Sequence, residues 1–202
     1  MHSSVVVTLL AVATGASARI FSIGPSPLHI VGKNNSSING YAQPCWADTR
    51  DVALCYVEKD YDESLNKFYF NYSIDTTADV RFGAITLDLN VTTGNSTVTH
   101  PSYLIFRSGP ATNIQLAHIT AGNSVFEILS AKENGVFYIS RQRDDRNWNE
   151  TQPSKFIGDW DVDRFFLCWQ WVGYYWRQSI AWASSLPPQN PSCKPVTLRI
   201  GT

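Results

Sequence analysis

Hydrophobic and polar residues alternate along much of the chain with a period of two, which is typical of β-strands that bury one face. The clearest cases are residues 67–73 (KFYFNYS) and residues 84–91 (AITLDLNV), in which every second side chain is apolar. No stretch keeps a helical period for more than about two turns. The pattern therefore predicts strands from one end of the chain to the other.

About a dozen short strands at close spacing predict a single all-β domain, built as an antiparallel β-sandwich or a closed barrel. Asn134-Gly135 is the strongest hairpin turn, because both residue types accept positive φ angles. Three similar strand endings, FYFNYS, YLIFRS and VFYISR, recur along the chain. A repeat of this kind would suit a β-trefoil, which is the alternative architecture.

The longest nearly uncharged stretch after the N-terminal region is residues 165–193, in which Arg177 is the only ionised side chain. Aromatic side chains bury large areas and suit sheets, so we predict that this stretch supplies the core strands. Alternation places Phe165, Leu167 and Trp169 on one strand face. The tryptophans of the stretch, all expected to be buried, are Trp169, Trp171, Trp176 and Trp182.

The N-terminal residues have the features of a secretory signal peptide. Residues 5–13 form a short apolar run, and Ala16-Ser17-Ala18 fits a small-residue cleavage site. We predict a signal peptide over residues 1–18 and one secreted domain over residues 19–202. No second stretch reaches the roughly 18 to 20 apolar residues that a membrane helix needs. The expected location is extracellular or in the cell wall, with no membrane span.

The charge of the chain gives no sign of a nucleic-acid partner. The formal net charge is −1, and only 16% of the residues are charged. Basic residues such as Arg143 and Arg146 are offset by the neighbouring acids Asp144 and Asp145. No basic patch is therefore expected on the surface.

The chain has four cysteines, which in a secreted protein indicate two disulfides with three possible connectivities. We favour Cys45–Cys55 and Cys168–Cys193, because each pair closes a local loop. A zinc site is the competing interpretation. It is weaker, because the sequence has no CxxC motif and oxidation is expected outside the cell. We predict neither a metal nor a cofactor.

Several asparagines lie in the Asn-x-Ser/Thr pattern that accepts N-linked glycans, which agrees with secretion. Occupied sites must lie on the surface, so the pattern indicates exposed turns and the outward faces of strands. The predicted glycosylation sites are Asn34, Asn35, Asn71, Asn90, Asn95 and Asn149.

No motif of a common hydrolase is present: the sequence has no GxSxG, no HExxH and no P-loop. His29 and His118 lie within apolar strands, where a packed or half-exposed histidine is the simpler interpretation. A pair of carboxylates, as in glycosidases, is the remaining catalytic possibility. The candidates are Glu127 with one of Asp159, Asp161 or Asp163. The simpler interpretation of Glu127 is the outward face of a half-buried strand at residues 124–130.

Two further tryptophans, Trp148 and Trp160, lie in polar surroundings, within and at the end of a long polar segment. They are harder to bury than the late tryptophans. Tryptophan faces stack on sugar rings, so these two residues are the candidate ligand-binding positions.

Several features together resemble a family of small secreted proteins of filamentous ascomycete fungi. The resemblance spans most of the chain after the signal peptide, except residues 92–122, and it implies secretion, fungal origin and the two disulfides, but no catalytic residues. The residues that carry it are PLHIV (27–31), Cys45…Leu54-Cys55, FYFN (68–71), GVFYI (135–139), and the ending Cys168…Tyr174-Tyr175…Ala181-Trp182…PQNPSC (188–193).

The leading hypothesis is a secreted, disulfide-bonded, N-glycosylated protein that binds a glycan or a cell-surface component and is not an enzyme. It rests on loop aromatics together with the lack of a catalytic motif. The alternatives are a small glycan-active hydrolase that uses paired carboxylates, and a structural wall protein or an effector.

Overall fold

The computed structural model of the chain describes residues 19–48, 51–59, 62–76, 80–109, 112–122, 126–141 and 160–201. These residues form β-strands joined by turns, with one turn of 3-10 helix at Glu63–Leu65, so the all-β prediction is confirmed. The strands are β1 (Phe21–Ser26), β2 (Leu28–Gly32), β3 (Asn39–Asp48), β4 (Asp51–Val57), β5 (Phe68–Asp75), β6 (Val80–Thr93), β7 (Ser96–Ser108), β8 (Ile114–Ala121), β9 (Leu129–Ala131), β10 (Phe137–Arg141), β11 (Trp160–Val162), β12 (Phe165–Val172), β13 (Tyr175–Ala183) and β14 (Lys194–Ile200).

Seven of the described strands close into an antiparallel barrel, in the order β4, β8, β13, β12, β14, β2 and β3. The ring is completed because β3 pairs with β4 along most of its length. β4 in turn meets β8 through Asp51 and Thr120, and meets β13 through Cys55 and Ser179. The sequence predicted an antiparallel sandwich or a closed barrel, and the structure has the closed barrel.

The remaining described strands form an outer layer that continues the sheet from β8. β7 pairs along β8, and β6 pairs along β7. β6 also pairs with β5 along its other edge, and with β9 beyond the end of β7. β1 extends the layer past β5, and β10 and β11 extend it past β9.

The barrel and the outer layer share one hydrophobic core. The rings of Phe70 on β5 and Phe137 on β10 meet edge to face, with their centroids 5.0 Å apart. Phe106 on β7 reaches Phe165 of the barrel, with a centroid separation of 6.0 Å. Burying one side chain of this size contributes roughly 1.5–3 kcal/mol. The Phe70–Phe137 contact holds two strands of the outer layer together, and the Phe106–Phe165 contact fixes that layer to the barrel.

β14 shows how alternation in the sequence produces this core. Val196, Leu198 and Ile200 are buried, whereas Thr197 and Arg199 between them are partly exposed. The buried phase pairs with β2 and closes the barrel wall there.

Both predicted disulfides are present. Cys45–Cys55 joins β3 to β4 with a Cα–Cα distance of 5.6 Å, and Cys168–Cys193 joins β12 to the segment before β14 with a Cα–Cα distance of 4.1 Å. No described cysteine is free. The local pairing favoured from the sequence is therefore confirmed.

The β-trefoil alternative does not describe this arrangement. The repeated endings FYFNYS, YLIFRS and VFYISR fall at β5, β7 and β10, none of which belongs to the closed barrel. A trefoil repeat would contribute equivalent strands to one barrel. The similarity among the three segments is that of ordinary alternating strands in the outer layer.

Within the described ranges, no helix has the length and apolar character needed to cross a membrane. The predicted signal peptide, residues 1–18, lies outside the described residues.

Candidate functional site

The alternating apolar residues of the β12–β13 hairpin begin in the core and continue into the part of the hairpin that is exposed to solvent. β12 and β13 pair Phe165 with Trp182, Leu167 with Ile180, Trp169 with Gln178, and Trp171 with Trp176. Residues directly opposite each other in an antiparallel pair share a face. One face of the hairpin therefore runs from two buried core pairs to two pairs that include three tryptophans.

Those three tryptophans are exposed, which corrects the expectation that all the late tryptophans are buried. Trp169, Trp171 and Trp176 are 48%, 58% and 63% exposed, whereas Trp182 is only 2% exposed. We call Trp169, Trp171 and Trp176 the aromatic face. A cluster of exposed large aromatic side chains is unusual on a protein surface, which makes the aromatic face the candidate interaction site.

The exposure follows from the length of the hairpin. β14 flanks β12 only at Phe166 and Leu167, and β8 flanks β13 only from Ala181 onward. Between Trp169 and Gln178 the two strands pair with each other and have no further strand beside them in the described part of the chain. The same alternation that fills the core therefore places tryptophans in solvent once the neighbouring strands end.

A groove of about 450 Å³ lies between the hairpin and the β3–β4 pair. Trp169, Trp176 and Gln178 form one side of it, and residues 43–45 and 55–57, with the Cys45–Cys55 disulfide, form the other. The disulfide also packs against Val172 of β12. One wall of the groove is thus fixed by a covalent cross-link.

The surroundings of the aromatic face combine flat rings with polar groups. The rings of Trp171 and Trp176 meet edge to face, with centroids 5.7 Å apart. The Arg177 guanidinium lies 5.7 Å from the centre of the exposed Tyr175 ring, in a cation–π contact. Gln178, which pairs with Trp169 on the same face of the hairpin, adds an amide group to the groove. Such groups hydrogen-bond hydroxyls, while the rings offer flat apolar surface.

Tyr56 is a fixed polar group on the far wall of the groove. Its hydroxyl accepts a hydrogen bond from the Asn39 backbone N–H at 3.1 Å. Burial raises the pKa of Tyr56 above its ordinary value, with a smaller contribution in the same direction from Glu58, against the effect of the Asn39 hydrogen bond. The phenol therefore stays protonated at neutral pH and keeps a proton to donate.

The proline-rich segment after β13 holds the backbone of Trp169. The Trp169 N–H donates to Ser192 Oγ at 2.9 Å, and its carbonyl accepts from Asn190 Nδ2 at 2.8 Å. Asn190 Oδ1 in turn accepts from the N–H and the hydroxyl of Ser192, at 3.0 and 2.7 Å. This segment replaces a neighbouring strand, because it satisfies both backbone groups of Trp169.

A second part of the same segment is tied to the barrel. Gln189 N–H donates to Asn113 Oδ1, and Asn113 N–H donates to Gln189 Oε1, both at 2.8 Å. Asn113 Nδ2 also donates to the carbonyls of Ser185 and Pro187. The support of Trp169 is thus anchored at β8 as well as at the Cys168–Cys193 disulfide.

Several predicted site residues cannot be placed in this groove. Trp148, Asp159 and Asn149 lie outside the described residues. The backbones of Trp160 and Asp161 pair with β10, but their side chains are not among those described. For these positions the sugar-binding and catalytic hypotheses stay predictions.

The two predicted acids that are described lie in different surroundings. The Asp163 carboxylate forms an ion pair with Lys33. Glu127 is half-buried beside β7, where its N–H donates to the Leu104 carbonyl at 3.0 Å. Its neighbours Phe126 and Ile128 are 41% and 57% exposed, and the strand begins only at Leu129. The expectation that Glu127 sits on the outward face of a strand was wrong.

A polar cluster lies on the barrel wall where β4, β7 and β8 meet. The Asp51 carboxylate forms an ion pair with Arg107, accepts the Thr120 hydroxyl hydrogen bond at 2.9 Å, and lies 3.2 Å from His118 Nδ1. Burial lowers the pKa of His118; Asp51 opposes this shift and Arg107 adds to it. His118 is thus a strand histidine with a carboxylate partner, and we assign it a role in stability.

The predicted glycosylation sites differ in their surroundings. Asn34, Asn90 and Asn95 are exposed. Asn35 is half-buried, and its Oδ1 accepts hydrogen bonds from the N–H and the hydroxyl of Ser37. Asn71 is also half-buried, and its Nδ2, the atom that would carry a glycan, donates to Thr86 Oγ1 at 2.9 Å. The exposed positions are the better acceptors.

Comparison of the chain with protein-family models, with curated proteins and with solved structures finds no match. Within the described residues, no group of three or more His, Cys, Asp or Glu side chains is arranged to hold a metal ion.

The sequence pattern did not show that the aromatic face is exposed. Alternation places Trp169 and Trp171 in the same phase as the buried Phe165 and Leu167. The hairpin turn at Gly173, which has a φ of 63°, lies beyond the ends of the pairing with β8 and β14. The local pattern of residues does not display where those neighbouring strands end.

Proposed function

We propose that the chain is a secreted fungal protein that binds glycans through the aromatic face and does not catalyse a reaction. The observation that carries this proposal is the exposure of Trp169, Trp171 and Trp176 on one face of a braced hairpin, next to a groove with polar walls. The ligand class is a polysaccharide of a cell wall or another cell surface.

The exposed tryptophan rings favour a ligand that covers them. Leaving a large aromatic ring in water forgoes roughly 1.5–3 kcal/mol of burial, and this hairpin does so three times. A ligand that covers the rings recovers that free energy. Sugars suit this surface, because their apolar faces stack on flat rings while their hydroxyls can hydrogen-bond the Gln178 amide on the same face.

Preorganisation supports the same proposal. The hydrogen bonds of Asn190 and Ser192 to Trp169, with the nearby Cys168–Cys193 disulfide, brace the hairpin before any ligand arrives. A rigid surface loses less conformational entropy on binding. We therefore expect the aromatic face to bind without a large rearrangement.

The walls of the groove favour binding over catalysis. Among the described residues that line it there is no Asp, Glu or His. A glycosidase needs two carboxylates at the scissile bond. Asp163, one of the candidate acids, is instead paired with Lys33.

Two observations support secretion. The described cysteines all form disulfides, which persist in oxidising compartments, and three predicted glycosylation sites are exposed. The location outside the cell and the fungal origin belong to the proposal.

The proposal is tested by co-sedimentation of the protein with insoluble chitin, β-glucan, cellulose and mannan. We expect at least one polysaccharide to retain the wild type, and the Trp171→Ala/Trp176→Ala variant to bind at least about tenfold more weakly, or about 1.4 kcal/mol. The matched control is Phe82→Ala, which removes a 41% exposed aromatic ring on β6. No retention of the wild type, or equal retention of the double variant, would contradict the proposal.

A further inference from the structure

We propose that Arg199, His29 and Tyr41 form a second binding site, an oxyanion pocket on the barrel wall. Its ligand would be a carboxylate, as on an acidic sugar, or a phosphate group. Two observations support this site, independently of the aromatic face: a cavity, and an Arg199 Nε that has no hydrogen-bond partner among the described residues.

The register of the barrel brings the three side chains together. Arg199 on β14 pairs directly with His29 on β2, and His29 pairs with Tyr41 on β3. Directly paired residues share a face, so the three form a row across adjacent strands. Their neighbours Leu198 and Ile200 are buried in the core, so the row lies on the outside of the barrel.

The row borders a cavity of about 270 Å³, which is also lined by Ser26, Pro27 and Gly201. No acidic side chain is among the described residues that line it. The turn between β9 and β10 lies against the end of β14, because Ile200 N–H donates to the Gly135 carbonyl at 3.2 Å. Val136 of that turn also forms an isolated β-bridge with Arg199.

Arg199 is the cation of the pocket. Its Nε is shielded from solvent and has no hydrogen-bond partner in the described part of the chain. Within the described part of the chain, its side chain takes part in no ion pair and no cation–π contact either. A shielded cationic donor without a partner is unfavourable, and native proteins rarely leave one so. The planar guanidinium presents parallel N–H groups that match a carboxylate or phosphate in bidentate geometry.

His29 and Tyr41 give the pocket a fixed aromatic wall. Their rings are stacked, with centroids 5.1 Å apart and an interplanar angle of 24°. His29 Nε2 lies 2.7 Å from Asn39 Oδ1 and donates to it, which holds the imidazole in place. A ligand with an anionic group and a ring would thus meet a cation and a flat surface together.

The test is an NMR titration of ¹⁵N-labelled protein at low ionic strength with D-glucuronate, with inorganic phosphate and with neutral D-glucose. We expect glucuronate or phosphate to shift the backbone resonances of Arg199 and His29, and glucose to leave them unchanged. A response to glucuronate alone identifies a carboxylate site on a sugar, and a response to phosphate alone identifies a phosphate site. No shift with either anion up to about 50 mM, where a 1 mM site would be saturated, overturns the proposal.

Variants separate this pocket from the general charge of the protein. Arg199→Gln should weaken anion binding at least tenfold, and Arg199→Lys should restore part of it, because the charge returns without the guanidinium geometry. His29→Gln provides a second measurement if Arg199→Gln does not fold, and it should also weaken binding. Unchanged binding in a folded Arg199→Gln protein would overturn the proposal. Lys194→Gln is the control: it removes an exposed positive charge on the same strand outside the pocket, and it should leave anion binding unchanged.

Discussion

The two ends of the β12–β13 hairpin carry similar side chains on the same face, but one end lies in the core and the other is exposed to solvent. At one end Phe165 faces Trp182, and both are buried; at the other Trp171 faces Trp176, and both are more than half exposed. Neighbouring strands lie beside the first pair and end before the second. Alternation therefore determines which side chains share a face, and the extent of the neighbouring strands determines which of those side chains are buried.

The largest difference between the two ends should appear in stability. Trp182→Ala should lower the free energy of unfolding by about 3–5 kcal/mol, because it leaves a cavity in the core. Trp176→Ala should lower it by less than about 1.5 kcal/mol, because it loses little more than an edge contact with Trp171. Urea denaturation of both variants measures the two values. Equal losses would mean that the two ends are not packed differently.

The second prediction removes the covalent support of the hairpin. Replacing Cys168 and Cys193 together by alanine should lower the free energy of unfolding by about 3 kcal/mol, because the unfolded chain regains the freedom of a loop of 25 residues. The same change at Cys45 and Cys55 opens a shorter loop, with a separation of 10, and should cost less.

Denaturation of both double variants under oxidising conditions measures this difference. The Cys168/Cys193 variant should also bind polysaccharide more weakly, because the segment that holds Trp169 loses its anchor. If this variant folds and binds polysaccharide as well as the wild type, the hydrogen bonds to Trp169 are sufficient to position the aromatic face without the disulfide.

The third prediction concerns the hydrogen bonds at Trp169. Ser192→Ala removes the acceptor of the Trp169 N–H and should lower the free energy of unfolding by about 1 kcal/mol. Amide hydrogen exchange at Trp169 should become faster. Ser37→Ala is a matched control, because Ser37 makes the same pair of hydrogen bonds to Asn35 far from the hairpin in sequence. Unchanged exchange at Trp169 in Ser192→Ala would contradict the role assigned to Ser192.

The smallest expected effect is a pH dependence at the partly buried polar cluster of Asp51, Arg107 and His118, which differs from the aromatic face in containing charged groups. Burial holds the pKa of His118 below its ordinary value of about 6.5, so the unfolded chain binds this proton more readily than the folded chain. The contribution of His118 to stability is complete above about pH 6.5 and is lost as the pH falls toward the folded-state pKa.

Denaturation midpoints at about pH 7.5 and about pH 5.5 test this prediction. The wild type should lose more stability over this interval than His118→Gln, which has no imidazole to titrate. Asp51 and Arg107, the charged partners of His118, are unchanged in both proteins. Parallel losses in the two proteins would assign the pH dependence to other groups.

Much of the fold follows from local features of the sequence. The alternation of residues 67–73 and 84–91 corresponds to β5 and to part of β6, and the Asn134-Gly135 turn lies between β9 and β10. Both disulfides were found because each pair is near in sequence and each closes a short loop. These features depend on residues close along the chain, which a sequence displays directly.

The features that were not predicted depend on contacts between distant segments. Trp169 and Trp171 belong to the same alternating phase as the buried Phe165 and Leu167, so pattern alone could not show where the neighbouring strands end. The pocket at Arg199 similarly requires the register of three strands from both ends of the chain. Both sites therefore depend on how strands that are distant in sequence pair with each other.

The most direct test of the aromatic face is an NMR titration that follows the tryptophan indole N–H resonances while a soluble oligosaccharide of the retained polysaccharide is added. We predict that the resonances of Trp169, Trp171 and Trp176 shift in proportion to occupancy and that the resonance of buried Trp182 stays in place. Unchanged resonances for all three exposed tryptophans in the presence of a bound oligosaccharide would contradict the assignment of the aromatic face as the binding surface.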